Sequence, residues 1–388
     1  MTPLLKLLAR YSESGDPGAL PADLIDGIKA AFTAILTTPA DVPDTQKAAL
    51  LTALTLTGLY CNTQIVNVVG EVMRGVGVKV PLDPKDPILA AKQELLKRGQ
   101  YSGGFVDIVG TGGDGHNTFN VSTTSALLAS PFLLVTKHGN RAATSVSGSS
   151  DMISALAGGA HVLQVPPAKV GDILARYSNL SFLFAQNYHP ALGPLAALRK
   201  ELGFSTIFNV LGPLSHPIPQ IEARLLGVKN RQLGRVFAEV LQLMGCQKGM
   251  VVCGDVGAGL DEISPAGRTF CWRLVAGSAP GELATIAEFE LHPEKDFGVK
   301  LHTLDECKSR SPVENAEIVR AILRGDVAVG DPILDYCLIN TAALLVVAGV
   351  VDDWKEAVEL VKDSVRKMEA LKQWEGYLEG CEQARQQV

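Results

Sequence analysis

The chain has 388 residues, 47% of them hydrophobic and 20% charged, with a net charge of −6. This is a globular composition with room for about two domains; the acidic balance supplies no general field for nucleic acid, so any anion site must be local. No run of about 18 uncharged apolar residues could span a membrane, Lys6 and Arg10 interrupt the one apolar run near the start, and the seven cysteines are scattered without a CxxC pair, which predicts reduced thiols in a cytoplasmic protein rather than a disulfide frame or a zinc site.

Four helices are expected over residues 1–75. Leu4, Leu5, Leu7 and Leu8 mark the first, and Leu24, Ile28, Ala31, Phe32 and Ile35 recur at helical spacing in the second. Pro43-Asp44 opens a third with Leu51 and Leu54, and Thr63-Gln64 a fourth with Ile65, Val68, Val69 and Val72. A unit of about 70 residues cannot bury all its apolar surface alone, so it should dock on the rest of the chain or on a second subunit. Residues 75–87 are rich in Gly, Pro and Asp and read as a hinge, followed by a helix over 88–98.

From there the pattern changes. Buried strands are expected at 105–109, 132–135, 161–165, 206–209, 223–228 and 249–253, with a short apolar run at 182–185. Helices are expected at 125–130, 152–157, 169–177, 191–203 and 232–244. The alternation predicts a mostly parallel sheet with helices on both faces. Segments 268–275 and 284–291 read as a hairpin, and 315–323, 331–350 and 353–374 as long helices.

The stretch 105–151 carries the chemistry. Its first strand runs into Gly110-Thr111-Gly112-Gly113-Asp114-Gly115, a loop almost without side chains, where several backbone N–H groups can converge on one anion. Residues 117–124 lead into a small-residue helix whose start offers free N–H groups and a positive dipole end. The second strand delivers Thr136-Lys137-His138-Gly139-Asn140-Arg141. A glycine cradle, hydroxyls and a cation at two strand ends suit a phosphate or pyrophosphate. Gly110, Gly112 and Gly115 also match a dinucleotide fingerprint, but that reading needs an acid about 20 residues on to hold a ribose. Residues 116–149 contain no Asp or Glu. A glycine-rich turn without a ligand remains as the other alternative.

Asp261-Glu262 follows the strand at 249–253 on a glycine-flanked loop, at the kind of strand end where ligands gather. Adjacent carboxylates there suit Mg²⁺ shared with a substrate phosphate; a solvated acidic turn is the alternative. Arg199 could clamp a carboxylate through two parallel hydrogen bonds or lie on a solvated helix face. The histidines show no metal-ligand spacing, though His138 stands out beside Lys137. No G-x-S-x-G elbow lies in the motif region.

In chain order, GTGGD (110–114), NTFNVST (117–123), KHGNR (137–141), SGSSD (147–151), FLFA and YHP (182–190), RKELG and TIFNVLGPL (199–214) and GLDE (259–262) resemble the anthranilate phosphoribosyltransferase family of tryptophan biosynthesis. The resemblance spans most of the chain. It implies an α/β fold of the nucleoside phosphorylase/phosphoribosyltransferase kind. A small all-helical domain would span 1–78 with 167–195 returning to it, and a large α/β catalytic domain with a central, mostly parallel sheet would span 79–166 and 196–388. It further implies a homodimer through the helical domain, with no nucleic-acid or membrane partner. The implied reaction moves the phosphoribosyl group of 5-phosphoribosyl 1-pyrophosphate to the amine of anthranilate, with Mg²⁺ as cofactor.

Carried over residue by residue, the resemblance brings Gly110, Gly113, Asp114, Thr118, Asn120, Ser122 and Thr123 to phosphoribosyl pyrophosphate. Lys137 would contact its phosphates, with Asn140, Arg141, Ser145 and Ser149 nearby. Ser122, Asp261 and Glu262 would hold Mg²⁺. Asn140 and Arg199 would contact anthranilate, and His138 and Gly110 would line its pocket. Lys137, His138 and Arg199 are the implied catalytic set, with no indispensable general base. Departures from the common family pattern, Ser205, Ser215-His216-Pro217 and Gln186-Asn187, bear on the aromatic substrate channel and look like a fungal or other eukaryotic member. A nucleoside phosphorylase of the same fold would need no acidic metal pair, and a non-enzymatic ligand-binding relative would have lost it.

Overall fold

Prolines and a capping asparagine set where the first helices begin. In the computed structural model, which describes residues 2–14, 20–142, 145–277, 279 and 281–386, helix α1 (Thr2–Ser14) is followed by α2 (Ala22–Thr37), α3 (Asp44–Leu56) and α4 (Thr63–Val76). Pro21 and Pro43 immediately precede α2 and α3. The Asn62 carboxamide accepts from the N–H groups of Gln64 and Ile65, satisfying two donors that the first turn of α4 leaves unpaired. Leu24, Ile28, Phe32 and Ile35 on α2 and Ile65 and Val69 on α4 are buried, one apolar stripe per helix, and α2 packs on α4.

Helix α5 (Pro87–Leu96) leads to β1 (Phe105–Gly110), α6 (Val121–Ala129), β2 (Leu134–Gly139), α7 (Ser149–Leu156), α8 (Val170–Arg176), β3 (Leu180–Phe184) and the short α9 (Ala185–Tyr188). Then come α10 (Ala196–Leu202) and α11 (Ile207–Leu211). The chain divides into two compact units, Met1–Val78 with Tyr188–Pro217, and Lys79–Asn187 with Ile218–Val388. In the first unit α11 packs on α3 and α4, the Phe208 ring meets Phe32 edge-on at 5.6 Å, and the Arg74 guanidinium donates to the Leu214 carbonyl at 3.0 Å. The resemblance returned 167–195 to the helices. In the structure α8 packs on α5 and α16 (Glu369–Gln386) and β3 is hydrogen-bonded along β2, so this part stays with the sheet and the return runs from Tyr188 to Pro217.

The second unit continues with β4 (Ile221–Gly227), α12 (Arg231–Leu243), β5 (Lys248–Gly254), β6 (Thr269–Val275), β7 (Thr285–Leu291), α13 (Pro312–Arg324), α14 (Pro332–Ala348), α15 (Trp354–Arg366) and α16. Among the described residues, seven strands form one sheet in the order β3-β2-β1-β4-β5-β6-β7. The first five pair in parallel, and the β5–β6 and β6–β7 pairings are antiparallel, so 268–275 and 284–291 do pair as the sequence suggested. Neighbouring residues of a strand point to opposite faces. Trp272 of β6 packs against Gly234 of α12, while Arg273 donates to the Val346 carbonyl of α14. The sheet is therefore covered on both sides. Helix α14 is buried from Ile333 to Ala348. The Asp331 carboxylate caps its start, accepting from Ile333 and Leu334, and Gly349 in the left-handed region (φ 89°) ends it.

Three expected elements differ. Residues 161–165 are not a strand: 161–163 lie in a 3-10 turn, Ala160–Leu163, and the run is held between Gly158-Gly159 and Pro166-Pro167, too short to reach a sheet. Residues 206–209 open α11 instead of a strand, because the Asn209 carboxamide accepts the Thr206 N–H at 3.0 Å and closes a helix start. The long helix over 353–374 is two helices, broken at Met368, which takes a φ of 55°.

Candidate functional site

The strand order turns at β1 and β4: β2 and β3 extend to one side, β5 to β7 to the other. Such a switch leaves a crevice beyond the carboxyl ends of the strands. Here β1 ends at Gly110 and β4 at Gly227, and both glycines face the acidic loop. A Cβ on Gly110 would strike the Asp261 carboxylate, and one on Gly227 its main-chain carbonyl. Two strands thus end in glycine so that Asp261 can sit directly on the seam between them.

The glycine loop wraps the same residue. Gly112 N–H donates to Asp261 Oδ2 at 2.5 Å, and the Asp261 N–H points to Asp114 Oδ2 at 3.5 Å. His116 Nε2 lies 3.2 Å from the Val256 carbonyl and 3.1 Å from that of Gly259, fastening the glycine loop to the acidic loop. Gly112, Gly113 and Gly115 take φ of 67°, 75° and 83°, and Asn117 takes 51°. A Cβ on any of these three glycines would meet nothing, so glycine is there for backbone conformation and the loop's outer side is open. Beyond it, the first turn of α6 carries Ser122 and Thr123 with N–H groups that have no helical partner.

Asp114, Asp261 and Glu262 each offer a carboxylate oxygen, all within 4.8 Å of one another. Burial, then the charge of Asp114, pushes the Asp261 carboxyl up to about 7. Burial, then Asp261 and Asp114, lifts Glu262 well above the ordinary range, against hydrogen bonds from Tyr336 and Thr118 that favour its charge. A buried carboxylate, Asp261, between two half-buried ones, Asp114 and Glu262, that repel it and each other is a donor set for a hard divalent cation. The residues therefore fit Mg²⁺. Sequence reasoning put Asp114 with the phosphoribosyl ligand and Ser122 with the metal; the geometry groups Asp114 with the acidic pair, while Ser122 stands half-buried at the head of α6.

On β2, Lys137 is buried and donates to the His138 carbonyl at 3.3 Å. Burial lowers its pKa, while the charges of Asp107, Glu262 and Asp261 push it back up, so the field of the acidic loop reaches the ammonium. His138 is buried on the same strand end. Ser149 Oγ accepts the Asn140 N–H and donates to the Asn140 carbonyl, both at 3.0 Å. The Asp151 carboxylate receives the N–H groups of Ala142 and Gly148. KHGNR and SGSSD are thereby held as one turn. Arg141 is exposed with its guanidinium 5.8 Å from the Phe184 ring centre, and Ser145 donates to the Ser147 carbonyl. Asn120 donates to the Ser147 carbonyl at 2.9 Å and accepts from Ser147 Oγ and Asn315 Nδ2. Its carboxamide fastens the 145–149 loop. Thr118 Oγ1 reaches Glu262 Oε2 at 3.4 Å.

Arg199 belongs to the helical unit. It is half-buried, its guanidinium lies 5.5 Å from the Phe208 ring centre, and burial lowers its pKa. No carboxylate among the described residues pairs with it.

Sequence reasoning missed Asn315, Tyr336 and Asn340, polar groups buried on α13 and α14. The available signal was the presence of polar side chains inside otherwise apolar helical runs, since buried polar groups must find partners.

A family model described as the glycosyl transferase family, a/b domain, matches residues 102–371. Anthranilate phosphoribosyltransferase of Schizosaccharomyces pombe is 40% identical over 354 residues, covering 91% of either chain. The chain belongs to the anthranilate phosphoribosyltransferase family. The Saccharomyces cerevisiae family member is 36% identical over 344 residues, 86% of either chain. The solved structure of anthranilate phosphoribosyltransferase from Saccharomyces cerevisiae in complex with PRPP and Mg covers 97% of this chain and 98% of its own at 30% identity, with a TM-score of 0.81. The sheet with its antiparallel edge is thus the α/β fold of this phosphoribosyltransferase family.

Proposed function

We propose that the chain transfers the phosphoribosyl group of 5-phosphoribosyl 1-pyrophosphate to the amine of anthranilate, giving N-(5-phosphoribosyl)anthranilate and pyrophosphate. The observation that carries this is the three-carboxylate cluster on the β1–β4 seam, in contact with an open glycine cradle. The Saccharomyces cerevisiae relative's complex with PRPP and Mg supports it.

In this reading Asp114, Asp261 and Glu262, with Ser122, hold Mg²⁺. When bound, the ion supplies positive charge against the leaving pyrophosphate. Gly110, Gly113, Thr118 and Thr123 receive the phosphoribosyl ligand, with Asn140, Arg141, Ser145 and Ser149 around it. Asn120 acts on this ligand through the loop it fastens. Lys137 adds a fixed cation to the N–H groups of the cradle, and these donors stabilise charge as it develops on the departing group. Anthranilate lies against Gly110, His138 and Asn140, and Arg199 takes its carboxylate in two parallel hydrogen bonds. Its aromatic amine is a sufficient nucleophile once positioned, so alignment rather than a strong base is the chain's contribution. The helical unit forms the contact of a homodimer, which sedimentation at the mass of one chain would refute. Among the described residues no helix is long and apolar enough to cross a membrane, in keeping with work in the cytoplasm.

The test is an assay with phosphoribosyl pyrophosphate, anthranilate and Mg²⁺, read by the loss of anthranilate fluorescence. Asp261→Asn with Glu262→Gln should abolish Mg²⁺-dependent turnover while circular dichroism stays unchanged. Near-normal turnover by the double variant, or phosphorolysis of a nucleoside that persists in excess chelator, would sink the reading.

A further inference from the structure

Helix α14 carries two polar side chains one turn apart, Tyr336 and Asn340, which therefore share a face. Both are almost completely inaccessible. The Tyr336 hydroxyl donates to Glu262 Oε2 at 2.9 Å, the same oxygen that Thr118 Oγ1 reaches at 3.4 Å. Glu262 Oε1 receives no hydrogen bond among the described residues. Asn340 grips the next residue by its main chain: Oδ1 accepts the Ile263 N–H at 3.0 Å and Nδ2 donates to the Ile263 carbonyl at 3.1 Å. A second Nδ2 bond, to the Tyr336 carbonyl at 3.0 Å, ties the two gripping residues together.

The helix that bears them has little room to move. It is buried along its length, Ser125 of α6 donates to its Cys337 carbonyl, and Arg273 of β6 to its Val346 carbonyl. One rigid helix face thus fixes both the side chain of Glu262 and the backbone beside it.

We infer that Tyr336 and Asn340 are positioning residues for the divalent cation, holding Glu262 with Oε2 occupied and Oε1 presented beside Asp261 and Asp114. This rests on the reading of these carboxylates as the metal site. A carboxylate on a loop that must also resist two neighbouring charges would otherwise turn away from them, and each ion bound would have to gather it again. Partners of this kind, one bond removed from a metal, typically govern about 10–100-fold in affinity. Neither residue touches the substrate in this role. Its loss should appear as a raised metal requirement and not as a slower reaction once metal saturates.

The experiment uses Mn²⁺ as a paramagnetic probe, titrated into the full chain in the presence of phosphoribosyl pyrophosphate and read by electron paramagnetic resonance. Tyr336→Phe deletes one oxygen and keeps the ring. We expect its Mn²⁺ dissociation constant to rise about tenfold and turnover to recover at high Mg²⁺, with the KM for anthranilate unchanged. Glu262→Gln is the arm that tests the underlying site. If it binds Mn²⁺ as the parent does, the metal reading itself fails. If Glu262→Gln weakens binding and Tyr336→Phe does not, the positioning role is overturned. Should Tyr336→Phe not fold, Asn340→Ser decides by the same measurement: a rise in the constant supports the grip, and an unchanged constant overturns it.

Discussion

Arg199 illustrates what a single side chain reveals only in three dimensions. In the sequence it stands among Leu198, Lys200 and Glu201, indistinguishable from a solvated helix face. In the structure Lys200 is exposed, whereas Arg199 is half-buried over Phe208 and its charge is disfavoured by burial. A guanidinium that has lost part of its hydration and has no carboxylate partner among the described residues is suited to gain one from a ligand. Arg199→Ala should therefore raise the KM for anthranilate about tenfold or more, a loss of about 1.4 kcal/mol, and leave that for phosphoribosyl pyrophosphate nearly unchanged. Arg199→Lys should restore binding only in part, since an ammonium cannot copy the planar fork. Steady-state kinetics with each substrate varied in turn checks this. Equal behaviour of Arg199→Ala and Lys200→Ala would return Arg199 to the solvated face.

At the scale of elements, the glycine loop after β1 was legible because its glycines lie together in the sequence, and glycine runs have few other uses. Gly227 was not, because the residue that requires it, Asp261, comes from a loop beyond β5. The same separation hid Tyr336 and Asn340. Thr206 to Asn209 misled for the opposite reason: Ile207-Phe208 looks like strand interior, and the cap that makes it a helix start is a side-chain contact invisible to periodicity. Gly227 offers a test at this scale. Gly227→Ala places a methyl group on the Asp261 main chain, and overpacking of this kind costs about 1–3 kcal/mol. Denaturant unfolding should show that loss, together with a higher Mg²⁺ requirement because the acidic loop is displaced. Parental stability and Mg²⁺ dependence in this variant would show that the seam is looser than described.

For the whole molecule, the acidic cluster ties stability to pH. Burial and the neighbouring Asp114 hold the Asp261 carboxyl at about 7, against about 3.9 in an unfolded chain. Between these values the folded protein keeps a proton that the unfolded chain has released. Stability from this group is thus fully present below about pH 4 and is lost as pH rises through about 7. Metal-free protein should melt at a lower temperature at about pH 8 than at about pH 6, by a margin that shrinks in Asp261→Asn. Mg²⁺ competes with that proton, so its stabilising effect should be larger at the higher pH. Thermal melts with and without Mg²⁺ at the two values decide it; an equal Mg²⁺ effect at both would mean that Asp261 is ionised throughout.

The pairing of β1 with β4 also governs when the protein can become itself. Val106 lies beside Ala223, and between them the chain makes β2, β3 and the whole return through the helical unit. Pairings that close such long loops form slowly. As the polypeptide leaves the ribosome, the cradle emerges early, but its neighbour β4, the acidic loop and finally α14 arrive in turn. Until β4 has been synthesised, β1 is a nascent strand with an uncovered edge, and such edges invite misassociation. Birth order thus leaves the strand that carries the glycine cradle in prolonged need of shelter.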